Sequence, residues 1–402
     1  MTGHQSLTRE STPPGGARGQ IVATASVVAR IHPKGNKVKT KKAAALCAVV
    51  GVALAGLVVT APAANADPVS SSYVLAGSDT LQDAANALAN GTSVTGPTVR
   101  TTTTGGAAIA SFDAFGSAAI QTKPNGKYFA RPAGSGDGVK ALSRSIDGGQ
   151  FSVSGNSTPA VSITGQVDIA RSSSGPGSAA NTSGPLAYVP FSRDAVSYAI
   201  APGTAAGLTQ LSTAQLTQIY NCTLTSVGGV AVSPVLPQSA SGTRKFFLAA
   251  IGVVTPGACV NQSTLAENDG TVLNAPGQII PFSVASWVAQ SNGAAQDRTG
   301  AAVLGSAEGA TVPYTGTGNA LVPNAAYYSD STWGRDTYVV VEFARINSAS
   351  PTYDATLAAL VDPTKPKSLT NFGPLATNSG AVKTKFGFLA PSSTTIIRAN
   401  LS

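Results

Sequence analysis

The sequence predicts an α/β fold, with helices between strands and polar turns collected where the strands end. Three observations lead there. A strand-like run, Val69–Leu75, enters Gly77-Ser78-Asp79-Thr80 and then a helix whose buried face is Leu81, Ala84, Ala85 and Leu88, before Gly91 stops it. Tyr128-Phe129-Ala130 repeats the pattern, passing through Gly134-Ser135-Gly136-Asp137 into a helix with Val139, Leu142 and Ile146 on one face and Gly148 at its end. Val167-Asp168-Ile169-Ala170 then delivers Arg171-Ser172-Ser173-Ser174 into a Gly/Pro/Ser-rich loop.

The remaining elements follow in order. Asp79, with Gln82 three residues on, reads as a box-like cap for the first helix. Leu186–Phe191 is a strand that Pro190 should end or confine to a sheet edge, and Ala195–Ala201 is a second strand crossing into another part of the fold. Ser212 and Gln215 make a capping box for a helix through Leu216, Ile219 and Tyr220. Ser241-Gly242-Thr243-Arg244 opens the next helix, with Ser241 as N-cap, Phe247, Ala250 and Ile251 on the apolar face, and Gly252 as the stop. Unpaired N–H groups, hydroxyls, a glycine and two cations at one helix start make an anion site. Ile279–Ser283 is a return strand before a helix around Trp287, and Thr337–Phe343 is the clearest buried strand. A helix through Leu357, Leu360 and Val361 and a strand near Thr395–Ile397 complete the chain.

Charge narrows the possible functions. Five lysines between Lys34 and Lys42 precede an apolar run from Ala43 to about Val59 and the small-x-small pattern Ala64-Asn65-Ala66, which reads as a secretory signal peptide cleaved near Ala66. That leader, residues 1–66, holds 8 of the 26 Lys+Arg and 1 of the 18 Asp+Glu, so the remaining chain carries 18 minus 17, or +1. The basic pI therefore belongs to the leader, and no nucleic-acid surface is expected. Both histidines, His4 and His32, leave with it. A mature chain without histidine cannot run a Ser-His-Asp or Cys-His nucleophile system, nor a His-ligated zinc site. No catalytic residues, metal or cofactor are expected, and the chain is not read as an enzyme. A hydrolase would have to rely on carboxylates such as Asp79 and Asp137, which are more simply helix caps. Cys222 and Cys259 remain in an exported chain, where a disulfide is the default.

The ordered set GSDT, GSGDGV, VDIARSS, LSTAQLTQIYNC and PQSASGTRKFF resembles the phosphate-binding proteins of bacterial ABC importers, over nearly the whole mature chain. The resemblance implies the type II periplasmic-binding-protein fold: two α/β lobes, mixed sheets flanked by helices, and a cleft between the lobes. Residues 67–195 would form the first part of lobe 1, 196–310 lobe 2, and 311–402 the return to lobe 1. It implies a secreted binding protein that captures phosphate or a related oxyanion, is not membrane-spanning, works as a monomer and is served by an ABC permease. Ser78 and Thr80 match the family's first loop, Ser135 and Gly136 the second, and Ser241, Gly242 and Thr243 the loop of the other lobe. The family's aspartate and arginine ligands fall on Ser173 and Pro237, so Arg171 or Arg244 is expected to supply the positive charge and Asp79 or Asp137 the acceptor, with Ser172 alongside. The alternative is an extracellular surface or interaction protein that keeps the fold without importer coupling.

Overall fold

A computed structural model describes residues 67, 68 and 72–402 apart from 104, 204, 205, 263, 264, 308 and 310. The signal-peptide reading falls on residues 1–66 and lies outside the described residues. Among those described, no helix is long and apolar enough to cross a membrane.

Nine strands form one mixed sheet: β1 (Tyr73–Gly77), β2 (Ile109–Ser111), β3 (Ile169–Ser172), β4 (Leu186–Ile200), β5 (Ser233–Pro234), β6 (Gln278–Ser283), β7 (Val303–Leu304), β8 (Gly334–Glu342) and β9 (Ile397–Ala399). The path runs β5-β6-β4-β8-β3-β1-β2, with β7 and β9 also paired to β4. β1 lies parallel to both β2 and β3, while β8 is antiparallel to β3 and β4. The flanking helices include α1 (Gln82–Asn90), α2 (Ser135–Asp147), α3 (Thr213–Tyr220), α4 (Gly242–Ala250) and α5 (Val284–Ser291).

The long strand β4 holds the two halves together. Its first part pairs with β8 and β9, and its last residues, Val196–Ile200, pair with β6. The interruption expected at Pro190 does not occur. The ladder steps from Thr337↔Ser192 to Tyr338↔Pro190, so one residue, Phe191, is left over as a bulge. Proline lacks the N–H a regular ladder needs, and a bulge beside it lets the strand continue.

Apolar burial divides along the same line. One core gathers residues between Ala195 and Trp333, including Tyr198, Tyr220, Phe247, Phe282 and Trp333. Two others cover opposite faces of the remaining sheet, as period-2 alternation requires: Leu75, Ile169, Val339 and Val341 on one, Val74, Ala76, Ala170 and Val340 on the other. The fold is thus α/β with two lobes, a mixed sheet and flanking helices.

Local signals act where hydroxyls meet helix starts. Ser212 and Gln215 form the reciprocal capping box of α3, and Ser241 Oγ accepts from Arg244 N as the N-cap of α4. The cap expected from Asp79 is absent: Leu81 occupies the N-cap of α1 without a side-chain bond, and the Asp79 carboxylate is drawn instead to Asn268. Gln82 turns away too, its Oε1 accepting from Ala114 N at 2.6 Å. Cys222 and Cys259 are joined by a disulfide with Cα atoms 5.8 Å apart, which ties the end of α3 to the loop after α4.

Candidate functional site

The turns after β1 and β3, the start of α2 and the start of α4 meet between the lobes. Ser135 Oγ lies 3.1 Å from Ser173 Oγ and accepts from Ser173 N at 3.0 Å. A Cβ added at Gly242 would stand 2.3 Å from both of those hydroxyl oxygens, so only glycine lets α4 approach this closely. Gly136 N donates to Ala240 O at 3.1 Å, and Gln238 Nε2 donates to Ala133 O. Deeper in, Thr80 Oγ1 and Thr243 Oγ1 are 3.3 Å apart. Ser135, Ser173, Ser241, Thr243, Thr80 and Ser78 are all buried.

The cation at this junction is Arg335, which the sequence reading did not select. Arg335 Nε and Nη2 donate to Asp194 Oδ2 at 3.1 and 2.8 Å, and Nη2 also donates to Thr243 Oγ1 at 2.9 Å. Asp194 Oδ1 is itself held by Ser283 Oγ and Ala285 N, at 2.9 and 3.0 Å, so the carboxylate fixes the guanidinium like a bracket. The face of the guanidinium lies 5.5 Å from the Phe246 ring centroid. Arg335 Nη1 is buried with no hydrogen-bond partner among the described residues. A buried, charged N–H group left without an acceptor is costly, and it marks where an anionic oxygen would be favoured.

Two more residues complete the cluster. Asn268, in the left-handed region at φ 57°, donates through Nδ2 to Asp79 Oδ2 at 3.0 Å and to Thr80 Oγ1 at 3.2 Å, while its Oδ1 accepts from Ser283 N. Glu267 Oε2 accepts from Ser241 Oγ and, at 3.4 Å, from Thr243 N, and its Oε1 is buried without a partner. Burial, followed by the nearby charges of Glu267 and Asp83, pushes the Asp79 carboxyl up to about 8, against the opposing pull of Asn268 and Arg298. Burial therefore favours the neutral form of Asp79 over the ionised one.

Four expected residues lie elsewhere. Arg171 is fully buried beneath the first turn. Its guanidinium donates to the carbonyls of Gly77, Ser78 and Phe112 and to Ser111 Oγ, and burial lowers it to about 10. It shapes the loop bearing Ser78 and Thr80 and does not face Thr243. Arg244 points outward, to Pro237 O at 3.0 Å and Gln262 Oε1 at 2.6 Å. Asp137 accepts from Ala133 N within the start of α2, and Ser172 donates to Ser174 O. The charge expected from Arg171 or Arg244 is placed here by Arg335, because β8 runs antiparallel to β4 and brings Arg335 opposite Asp194.

The signal for Arg335 was present but weak. It shares strand parity with Thr337, Val339 and Val341, all buried, so period-2 counting puts a charge on an inward face. Asn268 and Glu267 sit in an irregular segment with no periodicity to reveal them.

No family model and no curated protein matches the chain. Solved structures do. The fold is similar to that of an ABC-type phosphate transport receptor from Vibrio cholerae, at 14% identity and a TM-score of 0.46, over 79% of this chain and 100% of that one. It is similar as well to a phosphate-binding protein from Stenotrophomonas maltophilia, at 13% identity and a TM-score of 0.45, over 81% of this chain and 92% of the other. A high-affinity periplasmic phosphate-binding protein, PfluDING, shares 15% identity at a TM-score of 0.44, over 80% and 91%. These likenesses are of fold alone, and what the site binds is read from its own side chains.

Proposed function

We propose that this chain is an exported solute-binding protein that captures phosphate or a related oxyanion between its two lobes and releases it unchanged. The observation that carries the reading is Arg335: a guanidinium braced by Asp194, with Nη1 unpartnered, buried beside hydroxyls contributed by both lobes. A small anion has little apolar surface and a large desolvation cost, so it needs many oriented donors in a site shielded from water. Arg335 Nη1, Thr80, Thr243 and Ser78 are such donors. The hydroxyls that bond across the gap would exchange each other for anion oxygens as the lobes part and close again. The exported, importer-coupled setting is part of the proposal.

Isothermal calorimetry with phosphate, sulfate and related anions tests this. Phosphate is expected to bind, and Arg335→Ala to weaken it about 10- to 100-fold, the loss of one charge-assisted contact. Absence of heat with every anion would reject the reading.

One observation favours the second reading, an extracellular interaction protein that keeps the fold. Thr80 to Thr243 and Gly136 to Ala240 already clasp the lobes directly, at 3.3 and 3.1 Å. If that clasp is permanent, Thr80→Ala should lower the melting temperature and no anion should raise it.

A further inference from the structure

The first turn of α2 lacks a cap of its own. Gly134 stands at its N-cap with no side chain to accept from the helix, and the Gly136 amide, too early in α2 for an intrahelical acceptor, donates to Ala240 O at 3.1 Å. Ala240 belongs to the short loop before α4, so the two lobes share this bond. Gln238, in the same loop, adds a second strap: its Nε2 donates to Ala133 O, and its Oε1 is left buried with no partner among the described residues. A Cβ at Gly134 would stand 2.5 Å from Ala240 O and 3.0 Å from Gln238 Nε2, so glycine there is what lets the loop seat. A helix start of this kind favours an anion, yet the acceptor it holds is the protein's own neutral carbonyl.

Resting on the oxyanion reading above, we propose that residues 238–240 are an internal latch, whose Ala240 carbonyl takes the place of an anion oxygen at the start of α2 and holds the lobes shut without a solute. Solute and latch compete for the Gly136 amide. Three features make the latch releasable. A neutral carbonyl is a weaker acceptor for that amide than an oxyanion is. The stranded Gln238 Oε1 regains water when the loop lifts, which offsets part of the bond broken at Ala133. Ser239 is already exposed and Ala240 half-buried, so lifting the loop uncovers little apolar surface. A closed resting form lowers the apparent affinity by the fraction of the time that the site is open, so weakening the latch strengthens binding.

Hydrogen exchange and calorimetry on the full mature chain, with orthophosphate as the probe, test the latch. Because the Gly136 amide has no acceptor within α2, its protection in anion-free protein reports the Ala240 contact. Expected is a protected amide in the wild type, exchange about 2- to 10-fold faster in Gln238→Ala, and orthophosphate bound about 2- to 10-fold tighter by that variant, the effect of removing one neutral hydrogen bond from the closed form. Gly134→Ala, which crowds Ala240 O from the other side and leaves Gln238 in place, should move both readouts the same way. A freely exchanging Gly136 amide in the anion-free wild type, or phosphate binding unchanged or weakened in both variants, would overturn the latch while leaving the oxyanion site standing. Silence of all three proteins with orthophosphate and sulfate would remove the oxyanion reading and the competition together.

Discussion

Asp79 couples the site to pH. Its carboxyl, held up to about 8 by burial and by the charges of Glu267 and Asp83, compares with an ordinary aspartate near 4 in an unfolded chain. The folded state therefore binds a proton that the unfolded state releases between those values. This contribution to stability is fully present below about pH 4 and is lost as pH rises toward 8. Asp79→Asn keeps the side-chain shape and abolishes the titration. Thermal unfolding from pH 5 to 8 should show the wild type losing stability relative to this variant, and parallel curves would mean the carboxyl titrates normally. Arg335 and Asp194 show a different residue-level economy. Each charge offsets part of the other's desolvation while both are present, and removing either strands a buried charge, which typically costs about 3–5 kcal/mol. Binding by Arg335 variants should for that reason be measured only on samples shown to be folded.

Elements explain what was legible in the sequence and what was not. Helix starts were readable because a cap is a local transaction: Ser212 with Gln215, and Ser241 with the amide of Arg244, involve residues three apart. Asp79 looked like a cap by the same rule and is not one, because Asn268, 189 positions away, offers a better-placed donor. Arg171 misled for a related reason. Its neighbours Ser172 and Ser173 lie at the strand end, yet the guanidinium turns under the β1 turn to satisfy three carbonyls, which sequence spacing does not reveal. Pro190 was overridden by a bulge. The Cys222–Cys259 bridge, across 37 positions, fastens α3 to the loop that follows α4. On the chain-entropy model such a loop is worth about 3–4 kcal/mol, so a Cys222→Ala/Cys259→Ala double variant should melt earlier without losing anion binding. An unchanged melting temperature would show that the bridge adds nothing to the folded lobe.

At the scale of the molecule, the division of the apolar cores is what makes a polar junction possible. Two cores sit on either side of one part of the sheet and a third lies beyond Ala195, and where they part the chain places hydroxyls, glycines and one braced cation. β4 passes through both halves and carries Asp194 near its middle, with β8 delivering Arg335 beside it, so the charge pair lies on the strand that links the lobes. The overall α/β architecture and the convergence of Thr80, Ser135 and Thr243 followed from glycine-and-hydroxyl turns at strand ends. The cation did not, since it depends on which distant strand pairs with β4. A crystal structure of the mature chain grown with phosphate is the most direct test. The account predicts an anion within hydrogen-bond distance of Arg335 Nη1, with the Thr80–Thr243 contact broken in its favour. A saturating phosphate concentration that leaves Nη1 unpartnered and the two threonines bonded to each other would contradict it.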